Sequence, residues 1–114
     1  MPLHPVRGDI WLTELDPVRG REQSGRRPAL VVSVDAFNQG GSTLAIILPT
    51  TTTERRLRSH VRIVPPEGGI RRVSYIKCED IRSISTERLV ERWGAVSGAT
   101  LDAVADRLRM LLGL

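Results

Sequence analysis

The stretch RGREQSGRRPALVVS, which runs from Arg19 to Ser33, joins a polar loop to an apolar strand. Pro28 fixes its own φ angle and pushes Arg27 into an extended conformation. The continuous apolar run 29–32 predicts a strand that is buried on both faces, because its side chains do not alternate between apolar and polar. We therefore expect Arg27 at the entrance to a rigid strand, where its planar, forked guanidinium suits a phosphate. The alternative is an exposed arginine in a surface loop.

Length and composition indicate one globular domain that spans residues 1–114. The chain has 114 residues, of which 40% are hydrophobic and 26% are charged, as is ordinary for globular proteins. Cys78 is the only cysteine, so the sequence excludes an internal disulfide and a cysteine-rich metal site. The N-terminus lacks an apolar signal segment, and no apolar run is long enough to cross a membrane. We expect a cytoplasmic protein with no membrane partner.

The basic residues concentrate in three predicted loops. The net charge is +4, the isoelectric point is about 10.5, and every basic residue except Lys77 is an arginine. Loops at one end of a small barrel can combine such charge into an anion-binding surface. The alternatives are a solvated basic face without a ligand and an arginine content set by codon bias. The three groups are Arg19, Arg21, Arg26 and Arg27, then Arg55, Arg56 and Arg58, and finally Arg71 and Arg72.

The order of the apolar segments predicts a mostly β fold with one late helix. Many short strands and a single final helix indicate a small, largely antiparallel barrel. The third strand is apolar throughout and is therefore expected to be buried at the centre of the sheet. We expect Pro49 to end it, residues 35–42 to form a turn, and residues 81–84 to continue the fifth strand. The predicted strands are 9–15, 29–34, 43–48, 60–64, 73–78 and 89–96.

The final segment predicts an amphipathic helix that packs on the barrel. Ser97 is the expected N-cap, and Gly113 stands where a helix commonly ends in a left-handed residue. The apolar positions recur at intervals of three and four residues and so share one helix face. These positions are Leu101, Val104, Ala105, Leu108, Leu111 and Leu112.

Two further patterns point to polar groups at the ends of strands. The threonine run 50–53 follows the third strand, and its hydroxyls either extend the strand or line a pocket as donors. Alternation in the fifth strand places Ile76 and Cys78 on the core face. The opposite face then carries Tyr75, Lys77 and Glu79.

Together these segments resemble the MazF/PemK toxin family. The most specific match is Gly-x-Glu-Gln followed by Gly-x-Arg-Pro, at fixed spacing between Gly20 and Pro28. The family comprises bacterial endoribonucleases that act as homodimers, pair with antitoxins and cut RNA without a metal. The resemblance implies a small SH3-like antiparallel β-barrel with a C-terminal α-helix, a fold shared with the gyrase poison CcdB. The matching segments are 7–11, 15–17, 20–32, 48–51, 78–84 and the final helix.

The resemblance also implies which residues act on RNA. By position, Arg27 matches the essential arginine of the family and Thr51 matches its essential threonine. Glu22 matches the loop glutamate and completes the expected catalytic set. The residues expected to support RNA binding are Arg19, Arg21, Gln23, Arg26, Thr50, Thr52, Arg55, Arg56, Lys77 and Glu79.

At three of these positions, and at Asp80, the chain carries residues that differ from those of some other members. Lys77 and Glu79 match strand positions where some members carry a catalytically important arginine and aspartate. Arg21 stands where serine or histidine is common, and this departure either changes the acid–base partner or adds RNA affinity. Asp80 stands where glutamine is usual, and this departure means that the resemblance does not imply a substrate contact at that position.

RNA cleavage without a metal uses the 2′-hydroxyl of the substrate as the nucleophile and needs no cofactor. The protein must supply a proton acceptor, charge stabilisation at the phosphate and a donor for the leaving oxygen. We expect Arg27 to bind the phosphate and Thr51 to act as a neutral donor, whereas either Glu22 or Glu79 is the base. His60 lies outside the matched motifs and is expected to be structural. The two tryptophans, Trp11 and Trp93, are expected in the core or at a dimer interface.

Two other functions fit the same fold: a topoisomerase inhibitor like CcdB, and an RNA- or DNA-binding barrel without catalysis. The motifs around Arg27 and Thr51 favour the nuclease, because a gyrase poison needs neither. The expected partners are single-stranded RNA, a second copy of the chain in a homodimer and a MazE-like antitoxin. An arginine-rich groove suits an antitoxin segment that is acidic and disordered.

Overall fold

The computed structural model describes residues 4–15 and 25–114. Within them the strands are β1 (Asp9–Leu15), β2 (Gly25–Val31), β3 (Leu44–Thr51), β4 (His60–Ile63), β5 (Ser74–Lys77), β6 (Arg82–Ser85) and β7 (Leu89–Ala95). The α-helices are α1 (Asp35–Asn38) and α2 (Gly98–Leu112), and short 3₁₀ turns occupy Glu67–Gly69, Cys78–Asp80 and Thr86–Arg88. The predicted fold, mostly antiparallel β with one long C-terminal helix, is confirmed.

The strands form one antiparallel sheet in the order β4-β5-β3-β2-β1-β7, and β6 also pairs with β3. β3 pairs with β2 on one side and with β6 and then β5 on the other. The predicted central position of this strand is therefore confirmed. Because neighbours hold β3 on both sides, its last residue, Thr51, has a fixed position.

The apolar side chains bury into two clusters on opposite faces of the sheet. In β2, Leu30 belongs to one cluster, whereas Ala29 and Val31 belong to the other. This division confirms that the apolar run in β2 is buried on both faces. The first cluster includes Ile10, Leu30, Leu48, Ile63, Ile76 and Val104, and the second includes Trp11, Ala29, Val31, Ala45, Ile47 and Leu89.

Helix α2 begins and ends where the sequence predicts. The backbone N–H of Thr100 donates to Ser97 Oγ at 3.1 Å, and Gly113 has a left-handed φ of 71°. Val104 is buried in the first cluster, but Leu111 and Leu112 are 43% and 53% exposed. The predicted apolar face therefore extends beyond the part of the helix that packs against this chain. Among the described residues, no helix has the length and apolar character that a membrane span requires.

Two predicted strand boundaries are wrong, and both errors involve proline. β2 begins at Gly25 and ends at Val31, so Arg27 lies inside the sheet, paired with Thr13. β3 continues through Pro49 to Thr51. Proline removes one backbone donor but keeps a φ angle that an extended chain accepts. The pairings of β3 with three neighbouring strands are enough to keep it in the sheet.

Two connections also differ from the prediction. Residues 35–38 form the short helix α1 within the segment that we expected to be a turn. Residues 81–84 do not extend β5, because the turn Cys78–Asp80 separates β5 from β6. Asp80 braces this turn, since its Oδ2 lies 3.6 Å from Lys77 Nζ and 3.0 Å from Arg82 Nη2. The chain therefore crosses from β5 to the other half of β3.

Candidate active site

The ends of β2 and β3 bring Arg27 and Thr51 together. The register of these strands pairs Ala29 with Pro49. Continued by two residues, the same register sets Arg27 opposite Thr51. Opposed residues in an antiparallel pair project from the same face of the sheet. The extended register thus places the half-buried Arg27 and the buried Thr51 on the same face at one end of the sheet.

The two threonines that end β3 use their hydroxyls differently. Thr50 is 2% exposed, and its Oγ1 donates to the carbonyl oxygen of Pro28 at 2.7 Å, which ties β3 to β2 in the register above. Thr51 is 8% exposed, and its Oγ1 accepts from the backbone N–H of Thr53 at 3.1 Å. A hydroxyl has one proton to donate. Of these two hydroxyl protons, that of Thr50 is used and that of Thr51 has no acceptor among the described residues.

Tyr75 connects this face to the loop that follows β3. It pairs with Thr51 across the β3–β5 ladder, and its hydroxyl donates to Glu54 Oε2 at 3.1 Å. Glu54 Oε1 in turn lies 3.6 Å from Arg56 Nε. The predicted residues Arg55 and Arg56 therefore stand at the same sheet end as Thr51, both exposed to solvent.

Glu79 is held in place by its neighbours. Ser59 Oγ donates to Glu79 Oε1 at 2.7 Å, and Glu79 Oε2 lies 3.0 Å from Nε2 of His60, which is buried as expected of a structural residue. Burial alone would raise the pKa of Glu79, but the hydrogen bonds from Ser59, the backbone and His60, with the charge of His60, lower it below its usual value. A carboxylate with a lowered pKa is a poorer proton acceptor. This geometry favours a supporting role for Glu79 over the role of base.

Lys77 lies on the same face of β5 as Tyr75, opposite His60. Its charge is partly balanced by Asp80, which also holds Arg82. Arg82 is a cation that the sequence did not suggest for the site, because its approach to Asp80 depends on the turn between β5 and β6. Lys77 and Arg82 therefore share the carboxylate of Asp80, and Glu79 is the second negative charge at this edge.

Thiol and metal chemistry have little support in the described residues. Burial, together with the charge of Glu79, raises the pKa of Cys78 to about 11 against the opposing charge of Arg107. The thiol is therefore protonated at neutral pH, and a protonated thiol is a weak nucleophile. Across residues 4–15 and 25–114, no three His, Cys, Asp or Glu side chains lie close enough to hold a metal ion.

The remaining predicted residues are not all on this face. Arg26 pairs with Glu14 across the β1–β2 ladder, on the face opposite Arg27, and its Nη2 lies 3.9 Å from Glu14 Oε2. Thr52 is exposed just beyond the end of β3. Four predicted residues lie outside the described part of the chain, namely Arg19, Arg21, Glu22 and Gln23.

Sequence reasoning missed a pocket beside the paired strand ends. Its volume is about 320 Å³. The guanidinium carbon of Arg71 lies 5.0 Å from the centre of the Trp93 ring in this pocket. Two adjacent arginines were the only signal in the sequence, and the contact with Trp93 requires β7 to fold back beside them. The lining residues are Pro28, Thr52, Ile70, Arg71, Arg72, Ser74 and Trp93.

An arginine beside a threonine at the basic end of a small antiparallel sheet defines a β protein suited to bind a phosphate-bearing ligand. The chain matches the model of the PemK-like, MazF-like toxins of type II toxin–antitoxin systems over residues 6–112. It belongs to this family, as its motifs predicted.

Two characterised relatives are endoribonucleases. MazF9 of Mycobacterium tuberculosis is 34% identical over 113 residues, which cover 95% of this chain and 96% of the relative. EndoA of Bacillus subtilis is 34% identical over 109 residues, which cover 95% of this chain and 94% of the relative. The similarity thus spans the strands that carry the candidate site as well as α2.

Solved structures share the whole fold. MazF of Deinococcus radiodurans superposes with a TM-score of 0.84 at 30% identity, over 99% of this chain and 100% of that chain. A MazE–MazF complex from the same organism gives a TM-score of 0.81 at 30% identity, over 99% of each chain. These superpositions bear out the expected barrel with its C-terminal helix.

Proposed function

We propose that this chain is the toxin of a type II toxin–antitoxin system and an endoribonuclease that cleaves single-stranded RNA. The pairing of Arg27 with Thr51 at the sheet end carries the proposal. It combines a permanent positive charge with an uncommitted hydroxyl proton, the two groups that a phosphodiester under attack requires. Endoribonuclease activity in relatives at 34% identity supports the same function.

The reaction that we propose transfers the phosphoryl group within the RNA. The 2′-oxygen forms a bond to the adjacent phosphorus as the bond to the 5′-oxygen breaks. The 2′-proton passes to a base, and the departing 5′-oxygen takes a proton from solvent water. The products carry a 2′,3′-cyclic phosphate and a 5′-hydroxyl, and no metal or cofactor takes part.

Each residue of the pair has a separate task in this reaction. Arg27 binds the non-bridging oxygens and stabilises the charge that develops on them. Because the pKa of arginine exceeds 12, it is a poor proton donor. Thr51 donates a hydrogen bond from its hydroxyl group to a phosphate oxygen. Since hydrogen bonds lower the pKa of Glu79 and so make it a weaker proton acceptor, Glu22 is our candidate for the base.

The surrounding cations extend the surface along the RNA. Arg55 and Arg56 lie beyond Thr51, and Lys77 lies farther along β5. We propose that they bind phosphates on either side of the cut, which makes binding sensitive to salt. Selectivity for the RNA sequence then depends on contacts with unpaired bases. We expect Arg19, Arg21 and Gln23 to contribute such contacts.

We further propose an antitoxin as the natural inhibitor. The MazF of Deinococcus radiodurans forms a complex with MazE, and cations that attract RNA also attract an acidic, disordered segment. We propose that residues 1–114 act as one domain in the cytoplasm, as a homodimer. The exposed apolar end of α2, with Leu111 and Leu112, supports contact with a second copy.

The decisive test uses a short RNA that contains a cut site mapped on a longer RNA. The same RNA with one 2′-deoxynucleotide at the cut serves as the matched control, and EDTA is present with both. We expect cleavage of the RNA to a cyclic phosphate, and binding without cleavage of the deoxy substrate. Cleavage of the deoxy substrate, or a magnesium-dependent 5′-phosphate product, contradicts the mechanism. Inhibition of a topoisomerase without RNA cleavage would favour the CcdB-like function instead.

A further inference from the structure

The pocket lined by Pro28, Thr52, Ile70, Arg71, Arg72, Ser74 and Trp93, here called the Trp93 pocket, has an apolar floor and a cationic rim. Its volume of about 320 Å³ lies at the lower end of the range for small-ligand sites. Trp93 is half-buried against the first apolar cluster, and Ile70 beside it is 4% exposed. Such a floor accepts a flat apolar group, while the rim accepts a negative charge.

The floor of the Trp93 pocket is rigid, because two backbones meet there. Gly69 has a φ of 75°, and a Cβ atom at this position would lie 2.3 Å from the carbonyl oxygen of Trp93. A Cβ atom on Gly94 would lie 2.9 Å from the backbone of Gly68. Only glycine allows this approach, so the turn Glu67–Gly69 is locked against β7. Trp93 consequently has little freedom to move away from a ligand.

The rim carries two arginines that stay available to a ligand. Arg71 is held over the Trp93 ring by a cation–π contact of 5.0 Å, which orders its guanidinium in advance of binding. Within the described residues, neither Arg71 nor Arg72 has a carboxylate partner. By contrast, Arg92 is paired with Asp9 at 3.1 Å. The positive charge of the rim is therefore not neutralised by this part of the chain.

The Trp93 pocket adjoins the candidate active site. Pro28 and Thr52 follow Arg27 and Thr51 directly in the chain, and neighbouring Cα atoms lie about 3.8 Å apart. Successive residues of a strand project to opposite faces. The pocket thus opens on the face opposite Arg27, around the same sheet end. An RNA strand with its phosphate at Arg27 reaches the pocket by passing over this end.

We infer that the Trp93 pocket binds one nucleotide of the RNA next to the scissile phosphate. The base stacks on the Arg71 guanidinium, which the Trp93 ring holds in place, and packs against Ile70, while a neighbouring phosphate contacts Arg72. This combination of an aromatic surface with cations is how proteins bind unpaired nucleotides. The inference rests on the proposed endoribonuclease function. The alternative occupant is an acidic peptide of the antitoxin. RNA is favoured because a strand bound at Arg27 and Thr51 continues into the pocket, whereas nothing requires a peptide to do so.

The experiment compares cleavage of an intact RNA with RNAs that lack one base on either side of the cut. In the wild-type protein, an abasic site at one neighbouring position should raise KM about tenfold and change kcat little, because one stacked base contributes roughly 1–3 kcal/mol. In Arg71→Ala, KM for intact RNA should already be raised, and the abasic site should add little. Non-additivity of this kind identifies direct contact.

Arg7→Ala is the matched control. Arg7 is an exposed arginine next to Gly8, whose N–H bonds to Val31 at the far end of β2. Its loss removes the same charge but should leave the tenfold abasic effect intact. Equal abasic effects in wild type and Arg71→Ala would overturn the inference. So would an Arg71→Ala protein that loses antitoxin affinity but keeps the abasic effect, because the pocket would then hold peptide.

A different outcome is expected if the proposed endoribonuclease function is wrong while the pocket still binds a nucleotide. If the wild-type protein cuts no RNA, the nuclease proposal fails, and the pocket is then tested by binding alone. A short single-stranded RNA and its abasic analogue, which keeps the sugar–phosphate backbone, are titrated against wild type, Arg71→Ala and Arg7→Ala. A tenfold loss of affinity for the abasic oligonucleotide in wild type and Arg7→Ala, but not in Arg71→Ala, supports the pocket. Equal affinities in all three proteins overturn it.

Discussion

The sheet end at Thr51 and the start of α2 use similar polar groups in opposite ways. At the start of α2, Glu67 Oε2 accepts from the backbone N–H of Ser97 at 3.0 Å, from Ser97 Oγ at 3.3 Å and from Thr100 Oγ1. At the sheet end, the Thr51 proton and the Arg27 guanidinium have no partner among the described residues. The first region commits its polar groups to the fold, whereas the second keeps them for a ligand.

The surroundings of Glu79 resemble those of Glu67 at the start of α2, although Glu79 lies at the edge of the candidate site. Burial would raise the pKa of Glu67, but the hydrogen bonds from Thr100 and Ser97 lower it below its usual value. Ser59 and His60 do the same for Glu79, which lies near Lys77 at the edge of the candidate site. Glu79 therefore belongs with the supporting structure of the site. Substitutions in each region should separate stability from activity.

Arg27→Ala should give the largest effect, a loss of about 10²–10³ in kcat, which is typical for removal of one transition-state donor. Arg27→Lys should recover only part of the activity, because an ammonium does not reproduce the planar fork. The melting temperature should change little, since Arg27 is only half-buried and belongs to neither apolar cluster. Full activity in a folded Arg27→Ala protein would end this assignment.

The neighbouring threonines provide a matched pair for the second prediction. Thr51→Val should lower kcat roughly tenfold to a hundredfold, since a hydrogen bond to a charged group contributes about 1.5–3 kcal/mol. Thr50→Val should instead lower the free energy of unfolding by about 1–3 kcal/mol, because the Pro28 carbonyl loses its donor. Cleavage assays and urea titrations of both variants test this division. Equal loss of kcat in both variants would contradict it.

Local patterns in the sequence were sufficient for most of the fold. Continuous apolar runs identified β2 and β3 as buried strands, and the cap at Ser97 fixed the start of α2. The predicted end of β3 was wrong, because Pro49 was expected to end the strand and instead lies within it. That error hid the opposition of Arg27 and Thr51, which depends on the strand register beyond Pro49. The family resemblance selected both residues but gave no account of how they meet.

The Trp93 pocket shows what local patterns cannot supply. Arg71 and Trp93 are far apart in the sequence, and each has an ordinary structural interpretation when considered alone. Their contact arises because Gly69 lets the preceding turn approach β7 more closely than any side chain would allow. The bonds from Ser59 and His60 to Glu79 likewise depend on the pairing of β4 with β5. Such sites depend on tertiary packing rather than on spacing in the sequence.

Glu67→Ala should reduce stability without reducing activity. The substitution removes the acceptor for Ser97 and Thr100, and a buried donor left without its partner costs about 1–3 kcal/mol. It also removes a negative charge from the N-terminal end of α2, where the helix dipole favours it. The free energy of unfolding should therefore fall by about 1–3 kcal/mol, as measured by urea titration. A parallel loss of kcat would show that the start of α2 is coupled to the candidate site.

The pH dependence of stability should give the smallest effect. Because the folded pKa of Glu67 lies below its usual value of 4.5, the unfolded chain binds more protons in this range, so stability rises with pH there. The stabilisation is complete above the unfolded pKa and is lost as pH falls through the lower folded pKa. Glu79 contributes with the same sign. The effect is modest because a protonated carboxyl still accepts hydrogen bonds.

Glu67→Gln separates the two contributions to this pH dependence. The amide keeps one acceptor oxygen but does not titrate, so urea titrations between about pH 6 and pH 3 should give a shallower loss of stability than in wild type. Glu79→Gln should flatten the curve in the same direction. If both variants titrate like wild type, the hydrogen bonds to these carboxylates do not lower their pKa in solution, and the contrast between the two regions rests on geometry alone.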